Sequence, residues 1–190
     1  MSEASTPALR GTRSGSDHRR NARTPLRPGA ALYTPEEQRR RDETVWTLVQ
    51  GLLAPFQFVV FLVSLALVLR CLLTGEGAFA ADLSVIAKTL TLYTIMVTGS
   101  IWEKVVFGKW LFAPAFFWED VVSMLVIALH TTYLVMLLGH VGTLEARLTV
   151  ALAAYLTYVV NAAQFVLKLR AARLQARATA RPARAAGIAA

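Results

Sequence analysis

The sequence predicts an all-α, polytopic membrane protein: a four-transmembrane-helix bundle with disordered basic N- and C-terminal tails. Three observations point there. Apolar residues fill 55% of the 190 positions and charged residues only 17%, for a mean hydropathy of +0.48, which is greasier than soluble domains of this size. Four stretches are apolar over lengths that suit a bilayer crossing. The net charge of +8 sits mainly in the two tails and beside the apolar stretches, a pattern that matches an anionic membrane surface and not nucleic acid.

Residues 1–33 form a basic arm whose only acids are Glu3 and Asp17. With almost no large apolar side chains it cannot offset the entropy of ordering. It lacks the amphipathic period of a transit peptide, and no apolar h-region follows it. Thr34-Pro35-Glu36-Glu37 reads as a helix start, with a Thr cap, Pro at the first position and acids at the positive end of the dipole.

The membrane domain then occupies residues 34–173, with spans at about 45–70, 83–106, 120–139 and 148–168, and residues 174–190 form the tail. The first span is uncharged from Val45 to Leu69, and Pro55 is expected to kink it. The second has the shortest uncharged centre, and Lys88 near its start is expected to snorkel. From Val121 to Gly139 the third carries only His130 as a group that can be charged near neutral pH. The fourth ends in Lys168, Arg170 and Arg173, and the short loop from His140 to Ala146 makes the last two spans antiparallel neighbours. The Ala/Arg-rich stretch from Leu174 prolongs the last helix before it frays, with Pro182 and Gly187 as stop signals.

Nine Lys and Arg residues precede Thr44 and six follow from Lys168 onward. Lys104 and Lys109 lie in the second loop, against Arg70 and Lys88 at the first and Arg147 alone at the third. The positive-inside rule therefore places both termini in the cytoplasm and the chain in the cytoplasmic (inner) membrane. Cys71 is the only cysteine. No intrachain disulfide or cysteine-based metal cluster can form, and the residue is expected to pack as a small hydrophobe.

Polar residues inside the spans mark the faces turned toward protein. Gln50, Gln57 and Ser64 recur every seven residues on the first helix, and Asn161, Gln164 and Lys168 form a similar stripe on the fourth. Interhelical hydrogen bonds are the plainer reading of both, contact with a polar ligand the sharper one. Glu119, Ser123 and His130 project from nearly one face of the third helix.

The densest chemistry lies in Trp102-Glu103-Lys104 and Trp118-Glu119-Asp120, at the membrane boundary between the second and third spans. Adjacent carboxyl groups in a low-dielectric setting repel, so one of them holds a proton and is available as a general acid. The plainer reading pairs Glu103 with Lys104 or Lys109 and leaves Glu119 and Asp120 at a helix N-terminus. Six aromatic residues between Phe107 and Trp118 form either an interfacial belt or a platform for a flat ligand, shaped by Gly108 and Pro114.

The run GSIWEKVVFGKWLFAPAFFWEDVVSM from Gly99 to Met124 resembles the 3-vinyl bacteriochlorophyllide hydratase family, also called 2-vinyl bacteriochlorophyllide hydratase, of bacteriochlorophyll biosynthesis. Ala128-Leu129-His130-Thr131, the first-span phrase from Thr47 to Phe58, and Ala162-Ala163-Gln164-Phe165 resemble the same family. The likeness covers roughly Tyr33 to Arg173. It implies hydration of the C3 vinyl group of a chlorophyllide or bacteriochlorophyllide to a 1-hydroxyethyl group, a hydro-lyase reaction with no cofactor and no intrinsic metal. On this reading Glu119 or Asp120 protonates the vinyl group and Glu103 orients or deprotonates the water. His130 is a candidate ligand to the substrate magnesium or a proton relay. Trp102 and Trp118 with Gln57 and Gln164 line the slot, and Lys104, Lys109 and Lys168 are candidates for the substrate carboxylate.

A non-catalytic tetrapyrrole carrier or assembly factor would use the same slot without needing paired carboxyl groups. A small proton-coupled transporter is disfavoured because the WEKVVFG and WEDVVSM similarity is local and does not extend into a repeat. Partners expected are the pigment and membrane lipid, with homo-oligomers and contacts to other pigment enzymes left open.

Overall fold

The computed structural model describes residues 32–188, with side chains described to Leu174. The remainder of the basic arm and the last two residues, with the disorder expected there, lie outside the described residues. The chain forms α1 (Pro35–Glu43), α2 (Val45–Thr74), α3 (Ala78–Phe107), α4 (Phe117–Leu138) and α5 (Leu144–Ile188). Four of these, α2, α3, α4 and α5 as far as Leu174, are long and apolar enough to cross a membrane.

The helix start at Thr34 forms as the residues require: the Thr34 hydroxyl accepts the Glu37 N–H and the Glu37 carboxylate accepts the Thr34 N–H, a reciprocal capping box with Pro35 at the first position. This helix does not run into the first span. The chain breaks at Thr44, whose hydroxyl caps α2 at Trp46, while the Thr47 hydroxyl donates to Arg41 O at 2.6 Å. Pro55 stays inside α2. Gly75 closes α2 with φ 74°, a left-handed conformation that a side chain would strain. At the other terminus α5 remains helical past Leu174 and through Pro182, to Ile188. The Ala/Arg content, favourable for a helix, outweighs the one proline.

α2 packs chiefly on α3 and α4 chiefly on α5, and α2–α5 and α3–α4 contacts join the two pairs. The seam is filled by Phe61, Val68, Cys71, Val85, Leu92, Val126 and Tyr155 among others, while the outward faces carry exposed leucines, valines and phenylalanines suited to lipid. Cys71 is buried in this core as a packing residue. The polar stripe of α2 faces inward: Gln57 and Ser64 are buried, and Ser64 bonds to Tyr155 at 2.5 Å and Ser84 at 2.7 Å.

At the end of the bundle that carries the α2–α3 and α4–α5 loops, Asp82 accepts from the Tyr133 hydroxyl at 2.5 Å and from Arg147 at 3.2 Å, tying α3, α4 and α5. Nothing in the sequence periodicity singles this triad out. Tyr133→Phe is expected to lower stability by about 1 kcal/mol, the scale of interhelical hydrogen bonds in membrane bundles, read as a drop in melting temperature in a fixed detergent.

One expectation is corrected here. Lys88 does not snorkel: it is fully buried, and its ammonium lies 3.7 Å from the centroid of the Tyr158 ring. The second span begins at Ala78 and not near Leu83, so Lys88 sits about 15 Å along the helix. The interface is out of reach, and its side chain turns into the bundle.

Candidate active site

At the opposite end of the bundle α3 finishes, α4 begins and α5 passes by, so Glu103, Asp120, Glu119 and Lys168 converge. The three carboxyl groups are buried, with residue exposures of 5% for Glu103, 3% for Asp120 and 6% for Glu119. Glu119 is ion-paired with Lys168 of α5 at 2.5 Å. Glu103 and Asp120 face one another within hydrogen-bonding reach. A hydrogen bond between two carboxyl groups exists only when one of them carries a proton. Glu119 and Asp120 lie in the first turn of α4, as the plainer reading has it, but Glu103 does not pair with Lys104 or Lys109. Lys104 turns instead to the carbonyl of Gly108 at 3.1 Å, closing the end of α3, and α4 is entered from Phe116 without a side-chain cap.

The segment between α3 and α4 folds back over this pair. Gly108, at φ 76°, lets the chain reverse, and a turn closes from Ala113 O to Phe116 N with Pro114 inside it. The turn presents two consecutive backbone amides to the carboxyl groups: Phe112 N–H donates to Asp120 at 2.7 Å and Ala113 N–H to Glu103 at 3.2 Å. Phe112 adopts φ 57° to do so, an uncommon conformation for a bulky side chain. Phe112→Gly is therefore expected to keep the loop and near-normal activity. Phe112→Pro, which removes the N–H and cannot adopt that φ, is expected to abolish activity, as a rate assay beside a melting curve would read.

Aromatic residues close the outer side. Phe116 is buried, stacked on Phe165 of α5 at 5.7 Å and flanked by Trp102 and Phe107. Tyr33, just before α1, stacks on Phe107 at 5.7 Å with Arg41 over its other side at 4.7 Å. Burial pushes the Tyr33 hydroxyl above its ordinary pKa, against the opposing pull of Arg41, so it stays neutral. Trp102 is anchored by a hydrogen bond from its indole N–H to Thr47 at 2.9 Å.

The residues singled out by sequence therefore divide by depth. Glu103, Glu119, Asp120 and Trp102 come together, with Lys168 engaged by Glu119. Trp118 is 69% exposed and, with Lys104 and Lys109, faces outward at the rim, where a ligand arriving from the headgroup layer would meet them. Gln57 and Gln164 lie farther inside. His130 is deeper again, fully buried against Tyr155 and about 16 Å along α4 from Glu119 at the rise of a helix. A chlorin whose vinyl group touched the carboxyl pair would not reach His130 with its magnesium. Sequence reasoning missed Tyr33, which no periodicity marks, and the depth of Lys88, which the turn glycines Gly75 and Gly77 would have revealed by starting the span earlier.

The buried carboxyl groups thus lie under an aromatic loop at one end of the bundle. Residues 33–171, which include every residue of this site, match the family described as 2-vinyl bacteriochlorophyllide hydratase. The chain belongs to that family. Two curated relatives carry the same name: one from Rhodobacter capsulatus is 65% identical over 147 residues, 77% of this chain and 85% of the relative. The other, from Cereibacter sphaeroides, is 62% identical over 152 residues, 80% of this chain and 94% of the relative. No solved structure matches the chain, so the geometry of the hydratase family's loop and carboxyl pair is described from this bundle.

Proposed function

We propose that the protein adds water across the C3 vinyl group of a chlorophyllide or bacteriochlorophyllide, giving a 1-hydroxyethyl group. The observation that carries this reading is the Glu103–Asp120 pair, two buried carboxyl groups from different helices that accept consecutive amides of one aromatic loop. Hydration of a vinyl group needs a proton delivered to the terminal carbon and a base for the attacking water, and one such pair supplies both.

In the proposed cycle the protonated member of the pair gives its proton to the terminal CH2. The positive charge that develops on the carbon next to the ring spreads into the macrocycle. Water attacks that carbon as the other member's carboxylate takes its proton, leaving the methyl and hydroxyl groups of the product. The proton then crosses between Glu103 and Asp120, and the pair is restored. Glu119 is ion-paired with Lys168 and is assigned a positioning role, holding α5 and its cation beside Asp120. Trp102 and Trp118 bracket the entry for the ring. Lys104 and Lys109, exposed at the rim, suit the substrate carboxylate.

The site lies at the basic end of the bundle, with Arg39, Arg40, Arg41, Lys104 and Lys109 near it and Arg147 at the opposite end. This supports placing the site and both termini on the cytoplasmic side of the inner membrane. The test is to incubate purified protein in lipid nanodiscs with a 3-vinyl substrate and follow pigment absorbance and mass. Gain of one water is the expected result; pigment bound without conversion would make the protein a carrier.

A further inference from the structure

We infer that the bundle interior holds a file of water molecules running from Lys88 and His130 to the Glu103–Asp120 pair, and that this file supplies the water the reaction consumes. The second half rests on the proposed hydration; the first does not. Gln57 Oε1, Lys88 Nζ, His130 Nε2, Asn161 Oδ1 and Gln164 Oε1 are buried without a hydrogen-bond partner among the described residues. A buried donor or acceptor left so pays the full cost of its lost hydration.

Helix register sets these five atoms, drawn from all four long helices, at successive depths of the bundle. Lys88 lies over Tyr158 and faces His130 across the core, with Phe61 packed on Tyr158 at 4.9 Å. α2 and α5 run antiparallel, so one helical turn from the Phe61–Tyr158 contact toward the carboxyl pair brings Gln57 level with Asn161. Asn161 donates to Ser123 at 2.8 Å, and Ser123 stands one turn from Glu119 on the buried face of α4. Gln164 is one turn from Lys168, the partner of Glu119.

The chemistry of these atoms selects their occupant. His130 Nδ1 lies 2.8 Å from the Val126 carbonyl, which can only accept, so Nδ1 carries the hydrogen and Nε2 of the neutral ring presents a lone pair. The three amide oxygens also accept, whereas the Lys88 ammonium only donates. A halide or carboxylate would suit Lys88 but meets repulsion at Nε2 and has no hydrogen for the amides. Water accepts from Lys88 and donates to the rest, in the manner of buried waters that bridge orphaned groups.

Brief X-ray radiolysis of the full chain in nanodiscs, in water enriched in heavy oxygen, marks aromatic side chains beside bound water. Tyr155, Tyr158 and Phe61 are expected to be labelled severalfold above lipid-facing Phe56, and Lys88→Met to lower Tyr158 labelling. Labelling of all three no higher than Phe56 in the unmodified protein overturns the file, whatever the activity; strong labelling in an inactive protein supports the file and counts against the hydration reading alone. For the supply role, Lys88→Met is expected to lower kcat severalfold with pigment affinity unchanged. An unchanged kcat overturns it.

Discussion

Glu103→Gln is expected to fold, insert and bind pigment normally while losing about 100- to 10,000-fold in hydration rate, the range for removal of a general acid or base. Glutamine is nearly isosteric, its amide oxygen still accepts the Ala113 N–H, and its amide nitrogen can donate to Asp120 across the space the two carboxyl groups now share. Asp120→Asn likewise keeps an acceptor for the Phe112 N–H. Each change therefore removes the titratable proton and spares the loop. Because the pair acts as one unit in the proposed cycle, the double variant is expected to be little slower than the worse single one, a non-additivity characteristic of groups that work together. Initial rates in nanodiscs, beside pigment titrations of the same preparations, measure both quantities. A near-wild-type rate in either single variant would remove the pair from the mechanism, and rates that multiplied in the double variant would give the two groups separate roles.

Lys168→Met should be the most destabilising single change at this end of the bundle. Glu119 is almost wholly buried, and Lys168 at 2.5 Å is its ion-pair partner. Stripped of that cation, the carboxylate must remain charged in a low-dielectric setting or take up a proton, and breaking such a pair from one side costs about 3 kcal/mol or more. Methionine keeps the packing of the aliphatic stem near Phe116, so the loss reports the charge. Glu119→Gln combined with Lys168→Met removes both charges and is expected to recover most of the stability. Thermal unfolding of all three variants in one detergent checks this. Equal melting temperatures for Lys168→Met and the wild type would show that Glu119 finds its compensation elsewhere.

How far the site could be read before folding depended on whether its parts were near in sequence or only in space. The face shared by Glu119, Ser123 and His130 follows from helical period alone, and all three are buried as that period requires. The convergence of Glu103 on Asp120 does not follow, because it depends on how the Gly108–Phe116 segment turns back. The expected partners Lys104 and Lys109 were sequence neighbours, but Lys104 bonds back to Gly108 at the end of α3 and Lys109 is exposed in the loop. His130 was grouped with the carboxyl groups by helix face, but facing one way says nothing of depth, and eleven residues of helix separate it from Glu119.

The sequence by itself determined that this is a membrane bundle of four apolar helices with basic ends, and it named the family, because apolar length, charge distribution and a distinctive string of residues are local properties of the chain. That Glu103 comes to face Asp120, that Glu119 is held by Lys168, and that Lys88 turns inward to Tyr158 are matters of tertiary packing. Each of these depends on the rotation and axial register of one helix against another. That register is set by packing summed over the whole seam, and no single helix carries it in its own period.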